Sequence, residues 1–353
     1  RNGLKKTPTD GKREKQKDGE TCWHLFVKRS LEQLKPGGKL LYIMPSIWLK
    51  EDKKGMYDYM LSYRLTKMHC LNNTATNKVF SSLAQTPTVY FLLEKRHIPQ
   101  ENSKHGIVEL WDTDVNKYIK FDATPEWSLT PRPIPCYGAS IVNKLSTWVK
   151  NAGYIQVMKT NTPSKKATII DTLTNININS NTNINLKFAY KNIKTCKLQH
   201  VQGNINTYKP TLVYQWSDIP LAYYGEKKIV LAHKQHGFPF LDLTGEYGIS
   251  SRDNYVILTG GEYGEKTETD LHILCKFLST KFALYMFETT RYRMKYLEKY
   301  AFELIPDITQ IPLFTKNPEE ITDDYIADFF NLTKTERNVI LSFTKRIYLP
   351  NLL

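Results

Sequence analysis

From Thr21 onward, apolar positions at helical spacing alternate with short unbroken apolar runs. Trp23, Phe26, Val27, Leu31 and Leu34 recur at helical spacing, and Pro36-Gly37-Gly38 stops the pattern. This predicts a helix entering a tight turn. LLYIM at 40–44 follows at once, a run of the kind found in strands covered on both faces. The same grammar repeats in a helix expected around 52–63 and a short strand near Lys67–Leu71. A strongly strand-like TVYFLLEK at 88–95 and a further strand at IVELW, 107–111, complete it. Residues 21–127 therefore read as half of an α/β sheet. Pro125, Pro131, Pro133 and Pro135 crowd the next stretch and predict a domain boundary there.

Beyond that boundary the texture changes. An amphipathic helix is expected at 139–150, and 160–187 is rich in Asn and Thr, with NININSNTNIN (175–185) reading as a surface loop or a hairpin tip. TLVYQW, KKIVLAH, FPFLDL and NYVIL, spaced by Gly, Asp and Asn, predict a β-rich unit over 211–260. Residues 270–299 keep helical spacing without Pro or Gly and predict one long helix. The last thirty residues read as a short helix pair, with Thr333 and Glu336 spaced as a capped start.

Composition narrows the partners. The 353 residues carry 49 Lys and Arg against 35 Asp and Glu, a net charge of +14, and such an excess on a folded chain attracts a polyanion, nucleic acid first. Residues 1–20 hold seven Lys or Arg and four acids with almost no apolar residue, and read as a basic flexible loop. No apolar window is long enough for a membrane span and the N-terminus is polar, so neither insertion nor secretion is expected. Five scattered cysteines form neither a disulfide framework nor a CxxC clamp, and point to a reducing, cytoplasmic setting. A chain beginning at Arg1 is read as a piece of a longer one.

Complete catalytic signatures are missing: GxGxxG after a strand, GxxxxGK[ST], HExxH and GxSxG do not occur. His233, His236 and Asp242 are a weak metal set, more simply read as ordinary surface. Asp218, Glu226 and Lys228 follow the carboxylate, carboxylate, lysine order of Mg-dependent nucleases, and surface charges before a strand account for them as well.

The strongest pattern is GGKLLYIMPSIWL (37–49), preceded by the helix CWHLFVKRSLEQLKP and followed by NKVFSSLAQTPTVYFLLEK (77–95). It resembles the post-catalytic half of gamma-class (TaqI-type) DNA adenine-N6 methyltransferases, including the methyltransferase part of type IIG restriction–modification proteins. The resemblance is close over residues 20–112 and looser beyond, where Glu303-Leu304-Ile305-Pro306 and Ile311-Pro312 look like the family's exit from its target-recognition domain. It implies an α/β fold, the second half of a Rossmann-like methyltransferase sheet at 21–127. An α+β, β-rich target-recognition domain with C-terminal helices would follow at 128–353. The implied reaction is methyl transfer from S-adenosylmethionine to adenine N6 in double-stranded DNA.

The family's Gly-rich cofactor turn and its Asn/Asp-Pro-Pro-Tyr/Phe motif are absent. The chain alone is therefore expected to be inactive and not to bind S-adenosylmethionine. It would work with an N-terminal half or a companion subunit, or else as a non-catalytic DNA-binding specificity subunit. Phe80 matches the aromatic that stacks on the flipped base, and a core position in a hairpin is the alternative. Pro45 and Trp48 match the pocket wall. For DNA binding the candidates are Lys234, Gln235, His236, Arg252, Asn254, Arg291, Arg293 and Lys295, since Arg, Asn and Gln read base edges while Lys meets phosphate. A solvated helix face accounts equally well for the 291–295 cluster.

Overall fold

The first helix, α1 (Trp23–Gln33), buries Val27 and Leu31 and gives way at Leu34 to extended backbone. Gly37, at φ +77°, turns the chain into strand β1 (Lys39–Pro45). The computed structural model describes residues 22–52, 54–81, 86–97, 106–172, 187–233, 237–260, 266–293 and 296–349. The basic segment 1–20 and the Asn-rich run 175–185 lie outside them.

After β1 come α2 (Met56–Leu61), β2 (Tyr63–Leu71), α3 (Asn73–Val79), β3 (Thr88–His97), β4 (Ile107–Asp112) and β5 (Lys117–Asp122). The strands form one sheet in the order β1-β3-β2-β4-β5. β3 runs antiparallel to both β1 and β2, so those two are parallel to each other. Alternation sends Met44, Met68, Val89, Phe91 and Leu93 into a core shared with Trp48, Met56 and Tyr57. The opposite face of β1 is open, with Leu41 70% and Ile43 53% exposed. LLYIM reads as a strand covered on both faces, whereas the described residues cover only one of them and pair only one edge of β1.

From Arg132 to Cys136 the proline-rich stretch is a buried strap rather than an exposed linker. Ile134 N–H donates to Leu49, Cys136 N–H to Thr289, and the Tyr57 and Tyr292 hydroxyls donate to the carbonyls of Arg132 and Ile134. Prolines bring no N–H of their own, so a segment of this composition can be buried once its carbonyls find donors. The main core then runs on through α4 (Ala139–Ala152) to the C-terminal helices.

Two further sheets follow, built from β6 (Met158–Lys159), β7 (Ile169–Ile170), β8 (Tyr190–His200), β9 (Thr207–Ser217), β10 (Lys228–Ala232), β11 (Pro239–Asp242), β12 (Tyr247–Ile249) and β13 (Asn254–Leu258). One has the order β11-β10-β13-β6. The other runs β12-β8-β9 and is extended by β14 (Ile347–Tyr348), with β7 also on β9. Ile193, Cys196 and Ile249 from the latter meet Val230, Ala232 and Val256 from the former in a second, smaller core.

The helix expected over 270–299 is instead α5 (Glu268–Leu278), α6 (Lys281–Thr289) and irregular backbone. Two hydroxyls make the break: Ser279 donates to the Cys275 carbonyl and Thr280 to that of Phe277, after which Thr280 caps α6 through Ala283 N–H. Helices α7 (Pro312–Lys316), α8 (Asp323–Phe329) and α9 (Lys334–Phe343) close the chain. The capping box at Thr333 and Glu336 is present as expected.

Candidate active-site edge

Because β1 and β2 are parallel, both end at the same edge of the first sheet, and β3 begins there between them. Thr88 is in register with Pro45 on one side and Leu71 on the other. Ligands of open α/β sheets bind outside such carboxyl ends.

On the β1 side, Pro45 leads into a single 3-10 turn, Ser46–Trp48. Ser46 ties that turn to the start of β3, donating from N–H and Oγ to the Pro87 carbonyl at 3.0 and 3.2 Å. Trp48 is fully buried, its ring edge-on to Phe91 at 5.5 Å, and its Nε1 has no acceptor among the described residues.

On the β2 side, Asn72 caps α3 by accepting from Ala75 N–H at 2.9 Å. Thr76 is buried, donating to the Leu71 carbonyl and lying 3.1 Å from the Thr88 hydroxyl, so α3 is pinned to the sheet edge. Asn73 and Asn77, one turn apart, each have a buried Oδ1 with no donor among the described residues. Buried acceptors left open in this way call for an explanation. Phe80 is the C-cap of α3 and half-buried, its N–H donating to Thr76, and Ser81 follows at φ +48°. Pro45 and the turn holding Trp48 thus stand at the end of β1, and Phe80 closes the helix that follows β2. The fold also adds Thr88 and, from the polar NNTATN run between two strands, Asn73, Thr76 and Asn77.

Behind the β1 edge lies a knot of charges. The Lys50 ammonium sits over the Tyr300 ring at 4.4 Å. Burial pulls the Lys50 pKa down and pushes that of Glu298 up, and the Glu303 carboxyl is raised by burial from 4.5 to about 7. An acid whose folded pKa stands above its unfolded value takes up a proton on folding. Its contribution therefore favours the folded state at low pH and fades as pH rises from about 4.5 to about 7. Wild type should lose roughly 1–2 kcal/mol relative to Glu303→Gln across that window, a figure reduced for partial exposure. Urea titrations of both proteins at the two ends of the window measure the difference, and parallel pH profiles would count against it.

Residues 2–80 match the family described as Eco57I restriction-modification methylase. Over that segment the chain is similar to restriction–modification methylases. The matched segment holds α1, β1, α2, β2 and α3 and ends on Phe80. No curated protein matches the chain. Among solved structures, that of the type IIG restriction endonuclease BpuSI aligns with 84% of this chain at 11% identity and a TM-score of 0.28. That is too loose a superposition to carry residue roles. The chain spans 44% of that enzyme's length.

The DNA-reading candidates fall on three stretches that meet around His233, whose N–H donates to the Asp253 carbonyl, whose carbonyl accepts from Leu297 N–H and whose ring stacks on Tyr296. Arg252 is exposed, and Arg293 is 52% exposed and 3.7 Å from Glu298. Arg291 is half-buried in a bidentate pair with Glu288. Asn254 corrects the expectation: it is fully buried in β13, its amide donating to the Lys194 carbonyl and its N–H to Thr160, so it serves the sheet rather than a base. Lys234, Gln235, His236 and Lys295 lie outside the described residues.

The nuclease arrangement is also undone. Lys228 turns inward to Asp242, and Asp218 accepts from Thr168 N–H at the surface. No group of three or more His, Cys, Asp or Glu among the described residues could hold a metal. No helix among them is long and apolar enough to cross a membrane.

Proposed function

We propose that this chain supplies the base pocket and DNA-recognition part of a site-specific DNA adenine-N6 methyltransferase of the gamma class, within a type IIG restriction–modification enzyme. The observation that carries this reading is the single edge where the methylase-matched segment ends. There Phe80 closes α3, whose Asn73 and Asn77 carry buried amide oxygens with no donor among the described residues. A base taken out of a duplex costs a few kcal/mol of unstacking, and an aromatic face returns part of it. Amide oxygens accept from an exocyclic amino group, and Pro45 stiffens the end of β1. The first sheet is then the second half of a Rossmann-like one.

S-adenosylmethionine is the methyl donor of such an enzyme. The described residues contain no Gly-rich cradle that fits it. Its site belongs to an N-terminal half or companion subunit. The open edge of β1, with Leu41 and Ile43 uncovered, suits the pairing of that half.

Labelled methyl transfer to duplex DNA, assayed with the complete enzyme and with this chain alone, tests the proposal. N6-methyladenine from the complete enzyme and none from the chain is the expected pair of results. Methylcytosine as the product, or full activity of the chain alone, overturns it.

A further inference from the structure

The longest pairing among the described residues is the β8–β9 ribbon, two strands of eleven residues each. At about 3.4 Å per residue it is roughly 35 Å long. Its inner side is occupied, since Ile193, Cys196 and Leu212 pack into the smaller core. Alternation places Thr195, Lys197 and Gln199 on the outer side, opposite Val213, Thr211 and Lys209 in register. Lys197, Gln199 and Lys209 are exposed.

The charge of this region is of one sign. The chain has 35 Asp and Glu in 353 residues, yet none stands between Asp171 and Asp218, a stretch that holds Lys187, Lys191, Lys194, Lys197 and Lys209. Lys194 pairs with Asp171 at 3.1 Å, while Lys197 and Lys209 face no carboxylate within ion-pair distance among the described residues. At the tip, Gln202, Asn204 and Asn206 present amides to solvent and Ile205 is 86% exposed. The C-terminal strand runs beside the tip, Ile347 N–H donating to Asn206, and brings exposed Lys345 and Arg346 with it.

A two-stranded ribbon fits the major groove of B-DNA, whose walls are phosphates and whose floor is base edges. We infer that the outer face of this ribbon enters a groove of duplex DNA, with Lys197 and Lys209 on phosphates and Gln199, Gln202 and Asn204 at base edges. The inference rests on the proposed DNA-modifying function and assigns its recognition element. Lysines on both strands neutralise phosphates on either wall, and amides between them match the donor and acceptor pair of adenine.

The test is fluorescence anisotropy of the full chain on short mixed-sequence duplex DNA over a salt series. Lys197→Ala with Lys209→Ala should lower the slope of log K against log salt by about two, since each phosphate left without its lysine removes roughly 0.9 from it. An equally charged control, Lys150→Ala with Lys316→Ala, should leave the slope unchanged. Gln199→Ala should keep the slope but flatten the sequence preference in selection from randomised duplexes. An unaltered slope in the ribbon variant, or an equal fall in the control, overturns the ribbon while leaving DNA binding intact. No duplex binding by wild type overturns both the ribbon and the DNA reading beneath it. Tighter wild-type binding to single-stranded RNA, with the variant's deficit confined to RNA, overturns the duplex as partner.

Discussion

Replacing Lys228 by Met should cost about 3–5 kcal/mol of folding stability, the penalty for stranding a buried charge. The Lys228 and Asp242 side chains are 0% and 1% exposed, and the ammonium donates to Asp242 Oδ2 at 2.6 Å and to the Tyr223 and Glu226 carbonyls at 3.0 and 2.9 Å. Asp242 in turn accepts from Gly245 N–H and the Thr244 hydroxyl, so one ion pair holds the β10–β11 hairpin and the turn after it. Burial lowers the Lys228 pKa against the pull of Asp242. Taking both charges out of water offsets much of their mutual attraction. Lys228→Met combined with Asp242→Leu should therefore recover part of what the single change loses. Urea unfolding with an unchanged denaturant slope reads both effects. A loss below about 1 kcal/mol in Lys228→Met would show that the carboxylate finds water.

Phe80→Ala in the complete enzyme should lower kcat/KM for duplex DNA about 5- to 150-fold, matching the 1–3 kcal/mol that an aromatic returns to an unstacked base. A half-buried C-cap side chain should cost the fold little. The deficit should narrow on a duplex whose target adenine is mismatched, because unpairing is then already met by the substrate. If Phe80 only packs the hairpin, melting temperature falls and the deficit does not depend on pairing.

Much of the first sheet is legible in the sequence because its signals are local. Continuous apolar runs at 40–44 and 88–95 form β1 and β3, and the helix stop at Pro36-Gly37-Gly38 stands where expected. β5 and α3 carry no comparable signal: KYIKFD alternates weakly, and NTATNKV is polar and held by Asn72 and by Thr76 on the sheet edge. Periodicity overstates the 270–299 helix because spacing alone does not show that Ser279 and Thr280 bond back to the preceding carbonyls. At the edge itself, Phe80 is visible only through family likeness, and Asn73 and Asn77 have no signal of their own.

The sequence by itself determined the order of helices and strands from α1 to β2, the basic excess and the Thr333 cap, since periodicity, net charge and caps are properties of neighbouring residues. Tertiary structure alone decided that β3 lies between β1 and β2, so that Pro45, Thr88 and Leu71 meet at one edge. It also buried the proline strap, and it turned Lys228 and Asn254 inward while leaving Lys197 and Lys209 outside. Strand order and burial depend on residues far apart in the chain, and a charged or amide side chain reads the same in sequence whether its partner is a buried carboxylate, a backbone carbonyl or water.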